Sequence, residues 1–111
     1  MQIWYRVSDL DQARDFYVGL LGFSEVYRDD DDRWLRLAKD EVELQVAEEE
    51  SVGDPEGEAV VTLVVDDVKA EGERLRAAGV DVGVVLEIPG TIRLLDINDP
   101  DGNRVQLSED V

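Results

Sequence analysis

Arg6-Val7-Ser8-Asp9-Leu10, followed after an amphipathic stretch by Leu21-Gly22-Phe23, has a second version further along the chain: Val64-Val65-Asp66-Asp67-Val68, followed by Ala78-Gly79-Val80. Val7 and Asp9 recur as Val65 and Asp67, 58 positions on. Each copy reads as a strand, a capped helix and further strands. An internal repeat constrains architecture before any local assignment does. Here it predicts two similar α+β modules, each running βαβββ.

The pattern extends outward from that repeat. Ile3, Tyr5 and Val7 alternate with Gln2, Trp4 and Arg6, as in a half-buried strand. Asp9 or Ser8 can cap a helix whose apolar positions, from Leu10 through Ala13, Phe16 and Tyr17 to Leu21, follow a 3.6-residue period. Gly22 ends it where glycine commonly ends helices. Strands are predicted at 23–28, 33–38 and 41–47, joined by the Asp29–Asp32 run and a Lys39-Asp40 turn. The second copy gives a strand at 59–65, a helix at about 67–78 ending at Gly79, and strands near 80–86, 91–97 and 103–108. Gly53, Asp54, Pro55 and Gly57 mark the one linker-like stretch. The expected organisation is a single domain over 1–111, with module one at 1–48, a linker at 49–57 and module two at 58–111.

Composition narrows the class. The 111 residues are 43% hydrophobic, enough for a core, yet 28 Asp and Glu face 11 Lys and Arg, a net charge of −17. Lys39 and Lys69 are the only lysines. Acidic residues alternate with regularly spaced apolar ones, so the charge describes a surface and not a disordered tail. An acidic, lysine-poor surface over an ordinary core reads as adaptation to high cytoplasmic salt, with an acidic face for a basic partner as the competing reading. No basic stripe is present to neutralise phosphates, which argues against nucleic acid. The absence of cysteine excludes disulfides and thiolate chemistry, and the absence of histidine removes the commonest base and metal ligand. The apolar runs are strand-length, and no signal peptide or membrane span is read. The expected location is the cytoplasm.

Taken in order, the opening strand with Val7-Ser8-Asp9-Leu10, the Phe16-Tyr17 pair, Leu21-Gly22-Phe23 and the closing Asp99-Pro100-Asp101-Gly102-Asn103 resemble the vicinal oxygen chelate superfamily. That group contains glyoxalase I, extradiol dioxygenases, fosfomycin-resistance transferases and bleomycin-resistance proteins. The resemblance runs from Gln2 to Leu107. It implies that two βαβββ modules form a cupped, partly open sheet with helices outside, and that modules from two subunits often build each pocket. Open sheet edges are normally covered or paired, so a two-fold homodimer is expected.

The superfamily's chemistry uses a divalent metal held at four positions, which the resemblance carries over to Gln2, Glu43, Val60 and Gln106. Val60 has no donor atom. One carboxylate and two amides make a poor site for zinc or nickel, and a hard cation generally needs more negative charge. No cofactor is therefore expected. Gln2, Trp4, Arg6, Glu43, Thr62 and Gln106 are expected to line one concave face as ligand-binding residues, because each lies opposite the helix-packed side of its strand. Competing readings stand beside these. Glu43, between Val42 and Leu44, also reads as a solvated strand residue. Trp4 and Trp34 also read as core fillers, and Arg6 also reads as a partner for a neighbouring carboxylate. The Asp99–Asn103 segment resembles part of a calcium loop, but placing Gly102 at the loop glycine puts Ile97 at the first ligand position and Ser108 at the last. It reads as a structural turn.

Two functions follow. The first is a metal-independent small-molecule binder akin to the bleomycin-resistance branch. The second is a glyoxalase- or dioxygenase-type enzyme with an altered metal site, or with Glu43 as a catalytic base. The charge balance generates its own expectation: the melting temperature should rise from dilute buffer to molar KCl as repulsion among exposed carboxylates is screened. A flat or falling melting temperature across that range would exclude adaptation to salt.

Overall fold

The alternation of Ile3, Tyr5 and Val7 with Trp4 and Arg6 becomes β1 (Ile3–Val7) in the computed structural model, which describes residues 3–48 and 60–111. Asp9 then caps α1 (Leu10–Arg14), its carboxylate accepting the backbone N–H groups of Asp11 and Gln12. β2 (Ser24–Asp29), β3 (Trp34–Lys39) and β4 (Val42–Glu48) complete a four-stranded sheet in the order β1-β4-β3-β2. β1 runs parallel to β4, and the other pairings are antiparallel. The helix buries Leu10, Ala13, Phe16 and Tyr17. Tyr17 meets Tyr5 and Phe23, so the core lies between the helix and one face of this sheet.

The helix does not continue as a regular α-helix to Gly22. From Asp15 to Leu20 it widens into a π-helical turn, and the N–H of Leu21 reaches back five residues to Phe16. Val18-Gly19 in this stretch are weak helix formers, and the wider turn keeps the adjacent Phe16 and Tyr17 both buried. The end is fixed by Gly22 at φ +83° and by Lys39, whose Nζ donates to the Leu21 carbonyl at 2.5 Å.

The second unit repeats the scheme. β5 (Val61–Val64) leads to α2 (Val68–Ala77), capped by Asp67 through the Ala70 N–H. β6 (Asp81–Val82), β7 (Leu86–Ile88), β8 (Ile92–Asn98) and β9 (Arg104–Asp110) follow. The sheet order is β5-β9-β8-β6, with β7 also on β8 and β5 parallel to β9. The chain divides into two compact units, Met1–Ala59 and Val60–Val111. The expected linker at 49–57 lies outside the described residues.

The single strand expected at 80–86 is a correction: it is two pieces, β6 and β7. Val82 pairs with Ile97 but Leu86 with Leu94, so the outer strand carries one residue more than its partner. The first unit holds the same irregularity, since Glu25 pairs with Leu37 but Tyr27 with Arg36, leaving Val26 extra. Such bulges bend an edge strand and leave one residue unpaired. Val26 and Val84, again 58 positions apart, are both strongly exposed.

Each module is closed by a glutamate at the end of its last strand. Glu48 Oε2 accepts the first helical N–H, that of Leu10, at 3.1 Å, and Arg33 grips both oxygens at 3.0 and 2.6 Å. Glu109 accepts the Val68 N–H at 2.9 Å and an Arg93 N–H at 2.9 Å. Helix N-termini carry N–H groups with no partner inside the helix, and a carboxylate there also meets the positive end of the helix dipole. The Arg33 guanidinium foremost, then the Leu10 N–H, holds the Glu48 carboxyl below its ordinary range. Its contribution to stability is therefore complete above the ordinary glutamate value of about 4.3. That contribution is lost as pH falls from there through the lowered folded value. Glu48→Gln should cost about 1–2 kcal/mol at neutral pH, and the gap to the wild type should close in acid. Equal melting temperatures at pH 7 would show the clamp to be dispensable.

Candidate functional site

The face of the first sheet turned away from α1 is aromatic and polar. On β4 the buried Leu44 and Val46 alternate with Glu43, Gln45 and Ala47. On β3 the buried Leu35 and Leu37 alternate with Trp34, Arg36 and Ala38. Trp4 pairs with Gln45, which pairs with Arg36, which pairs with Tyr27. Arg6 pairs with Ala47, which pairs with Trp34. Trp4 and Trp34 sit on strands that flank β4, yet their ring centroids are 5.5 Å apart at a tilt of 50°. They meet across β4 because Ala47 is small and Gln45 is sunk to 0% exposure. Tyr27 extends the strip, 5.2 Å from Trp34, and the Arg36 guanidinium lies 5.4 Å from the Trp34 ring centroid.

Glu43 also lies on this face. Its Oε1 accepts a hydrogen bond from Gln45 Nε2 at 2.8 Å and stands 3.5 Å from Arg36 Nε. The other carboxamide atom, Gln45 Oε1, is buried and has no hydrogen-bond partner.

On the second sheet, Thr62 pairs with Gln106, which pairs with Asp96, on the face opposite the buried Val61, Leu63, Val105 and Leu107. Thr62 Oγ1 and Gln106 Oε1 are 3.4 Å apart, Gln106 Nε2 donates to Asp96 Oδ1 at 3.4 Å, and Arg104 Nη1 is 3.8 Å from Asp96 Oδ2. These are long, weak contacts. Val60 is half-buried just before β5. The structure thus gathers Trp4, Arg6 and Glu43 on the first sheet and Thr62 and Gln106 on the second. Gln2 lies outside the described residues.

The family model described as the glyoxalase/bleomycin resistance protein/dioxygenase superfamily matches residues 2–107. The chain belongs to this superfamily. The chain is similar to the crystal structure of TnmS3, an antibiotic binding protein from Streptomyces sp. CB03234, with 29% identity and a TM-score of 0.78. The likeness covers 99% of this chain and 93% of that one. The lactoylglutathione lyase of Agrobacterium tumefaciens shares the fold at 21% identity and a TM-score of 0.79, over 98% and 91% of the two chains. The fosfomycin resistance protein FosX of Listeria monocytogenes does so at 18% identity and 0.80, over 100% and 92%. No curated protein matches the chain.

Against the superfamily's metal positions, the donors fit poorly. Glu43 is the one carboxylate among the four, and it is engaged by Gln45 and Arg36. Gln106 offers a neutral amide and Val60 no donor. Among the described residues no group of three or more Asp, Glu, His or Cys side chains is placed to hold a metal ion, and no helix is long and apolar enough to cross a membrane.

Three residues of this face escaped the sequence reading: Tyr27, Arg36 and Gln45. Trp34, for which a place in the core was the competing reading, belongs here as well. For Trp34, Arg36 and Gln45 the signal was available, since Trp34-Leu35-Arg36-Leu37 and Leu44-Gln45-Val46 alternate with strand period; Tyr27 reaches this face only through the extra residue at Val26.

Proposed function

We propose that this superfamily member is a metal-independent, cytoplasmic binder of planar small molecules. The first sheet holds the stacking surface, with Trp4, Arg6 and Glu43 as ligand contacts; separately, on the second sheet, Thr62 and Gln106 are the ligand-binding residues. The observation that carries this reading is the Trp4–Trp34–Tyr27 strip with Arg36 beside it, on a sheet face where Trp4 keeps 36% of its surface exposed. Two indoles in contact on an open sheet face, tilted 50° to each other, offer ring faces on which a planar ligand can stack. The likeness to an antibiotic binding protein at 29% identity supports the same reading. The surviving carboxylate of Glu43 favours a second reading, an enzyme that uses it as a base or as the residue of an altered metal site. Its engagement by Gln45 and Arg36 favours binding instead.

Titration with planar aromatic probes should quench tryptophan fluorescence saturably. Trp34→Ala should weaken binding about 5- to 30-fold, corresponding to roughly 1–2 kcal/mol of stacking. Probes that leave the fluorescence unchanged would end the binder reading. Stoichiometric divalent metal in the purified protein, lost on Glu43→Ala, would replace it with the enzyme.

We further propose a two-fold homodimer and a single-domain organisation over 1–111. Exposed Val84, Leu86 and Ile88 lie along the outer strand of the second sheet, where an unpaired edge favours a partner. Light scattering at micromolar concentration in high salt should give twice the monomer mass, and a monomer there would refute the dimer.

A further inference from the structure

Gln45, the carboxamide of β4, is served by its neighbours at only one end. It is 0% exposed, its Nε2 donates to Glu43, and its Oε1 accepts from nothing. The bond to Glu43 fixes which end is which, because turning the amide over would set its oxygen against the carboxylate. The Glu43 carboxylate is itself exposed on the open face, so the amide head lies on the ligand side of β4. Its register partners there are Trp4 and Arg36, and the Trp4–Trp34 contact crosses the strand beside it. A buried carbonyl oxygen without a donor is uncommon and costly.

We propose that Gln45 is the specificity-determining acceptor of this face. A planar aromatic ligand stacks against the Trp34 ring, with Trp4, the exposed ring tilted against it, turning to admit it. The ligand's edge presents an N–H or O–H to Gln45 Oε1. The amide nitrogen already donates to Glu43 whereas the oxygen has no donor at all, so the unmet need of the site is for a donor. A ring system with a donor satisfies the buried oxygen and one without leaves it unpaired, and a site built around one hydrogen bond discriminates strongly against the analogue that lacks it. The inference rests on the proposed aromatic-binding role and adds to it a rule for which aromatics are taken.

The test uses acridone, a planar tricycle with an N–H, against N-methylacridone, the same ring system without it. The whole protein is titrated with each, and tryptophan quenching is followed. The wild type should prefer acridone about tenfold, the worth of one buried hydrogen bond. In Gln45→Met, with its fold checked by far-UV circular dichroism, the ratio should fall to about one. Glu43→Ala, which releases the amide, should reduce it as well and serves where Gln45→Met does not fold. Equal binding of the two probes by the wild type would overturn the assignment of Gln45 while leaving the aromatic-binding role standing. A preference that persists in the variants would mean that the methyl group is excluded by shape, and would also overturn it. Binding of neither probe would remove both this inference and the role on which it rests.

Discussion

A single carboxylate at the end of each module's last strand holds the frame together. Glu48 reaches across 38 residues of chain to the first helical N–H, and Glu109 across 41. The local caps Asp9 and Asp67 serve other N–H groups of the same helices, so each N-terminus is satisfied from both sides. This matters most for α1, which has only five α-helical residues before it widens. Helices that short are marginal without tertiary support. The clamp ties the helix start to the strand that lies parallel to the first one, β4 beside β1 and β9 beside β5. Parallel neighbours need a crossover, and here the helix carries the chain to the opposite edge of the sheet, at β2 or β6, from which it returns through antiparallel strands. Fixing its start against the last strand therefore fixes which face of each sheet it covers.

Once one face is covered, strand alternation decides the rest. In the first sheet, Leu35, Leu37, Leu44 and Val46 are committed to the helix side, so Trp34, Arg36, Glu43 and Gln45 have no choice but the other face. Strand order then matters as much as alternation. β4 lies between β1 and β3, and its modest side chains let two indoles from the flanking strands touch over it. A bulky residue at Ala47 would separate Trp4 from Trp34 and break the strip into isolated rings.

The fold was legible because its determinants are local and repeated. The caps Asp9 and Asp67, the terminating Gly22 and Gly79, and the period of the helices all show in a short window of sequence. The repeated α+β frame followed from them, and the resemblance to the superfamily came from the motifs Phe16-Tyr17, Leu21-Gly22-Phe23 and Asp99–Asn103. The bulges were not legible, because an extra residue exists only relative to a partner strand: Val26 and Val84 look like any strand valine until the register with β3 and β8 is known. The π-helical turn was hidden for a related reason, since the burial of Phe16 and Tyr17 together outweighs the α-helical spacing. The open face of the first sheet was legible in part. Trp4, Arg6 and Glu43 emerged from alternation, but the default of placing tryptophan in a core obscured Trp34, although Leu35 and Leu37 beside it already claimed the core face. Gln45 was passed over because a buried amide is significant only when its hydrogen bonds can be followed atom by atom.

The charge of the chain bears on how such a face would recognise anything. With a net charge of −17, the molecule repels anions at long range, whereas the open face of the first sheet sets Arg6 and Arg36 against the carboxylates of Glu43 and, at the hairpin end, Asp29. At low salt these opposing fields reach a diffusing ligand. At molar salt the screening length shrinks to about 3 Å, and exposed charges lose most of their influence beyond direct contact. Stacking and a hydrogen bond to a buried neutral acceptor are short-range and depend far less on ionic strength. A ligand site of the proposed kind, composed of indole faces and a carboxamide oxygen, would therefore keep its selectivity across salt conditions in which a site built on arginine alone would lose it.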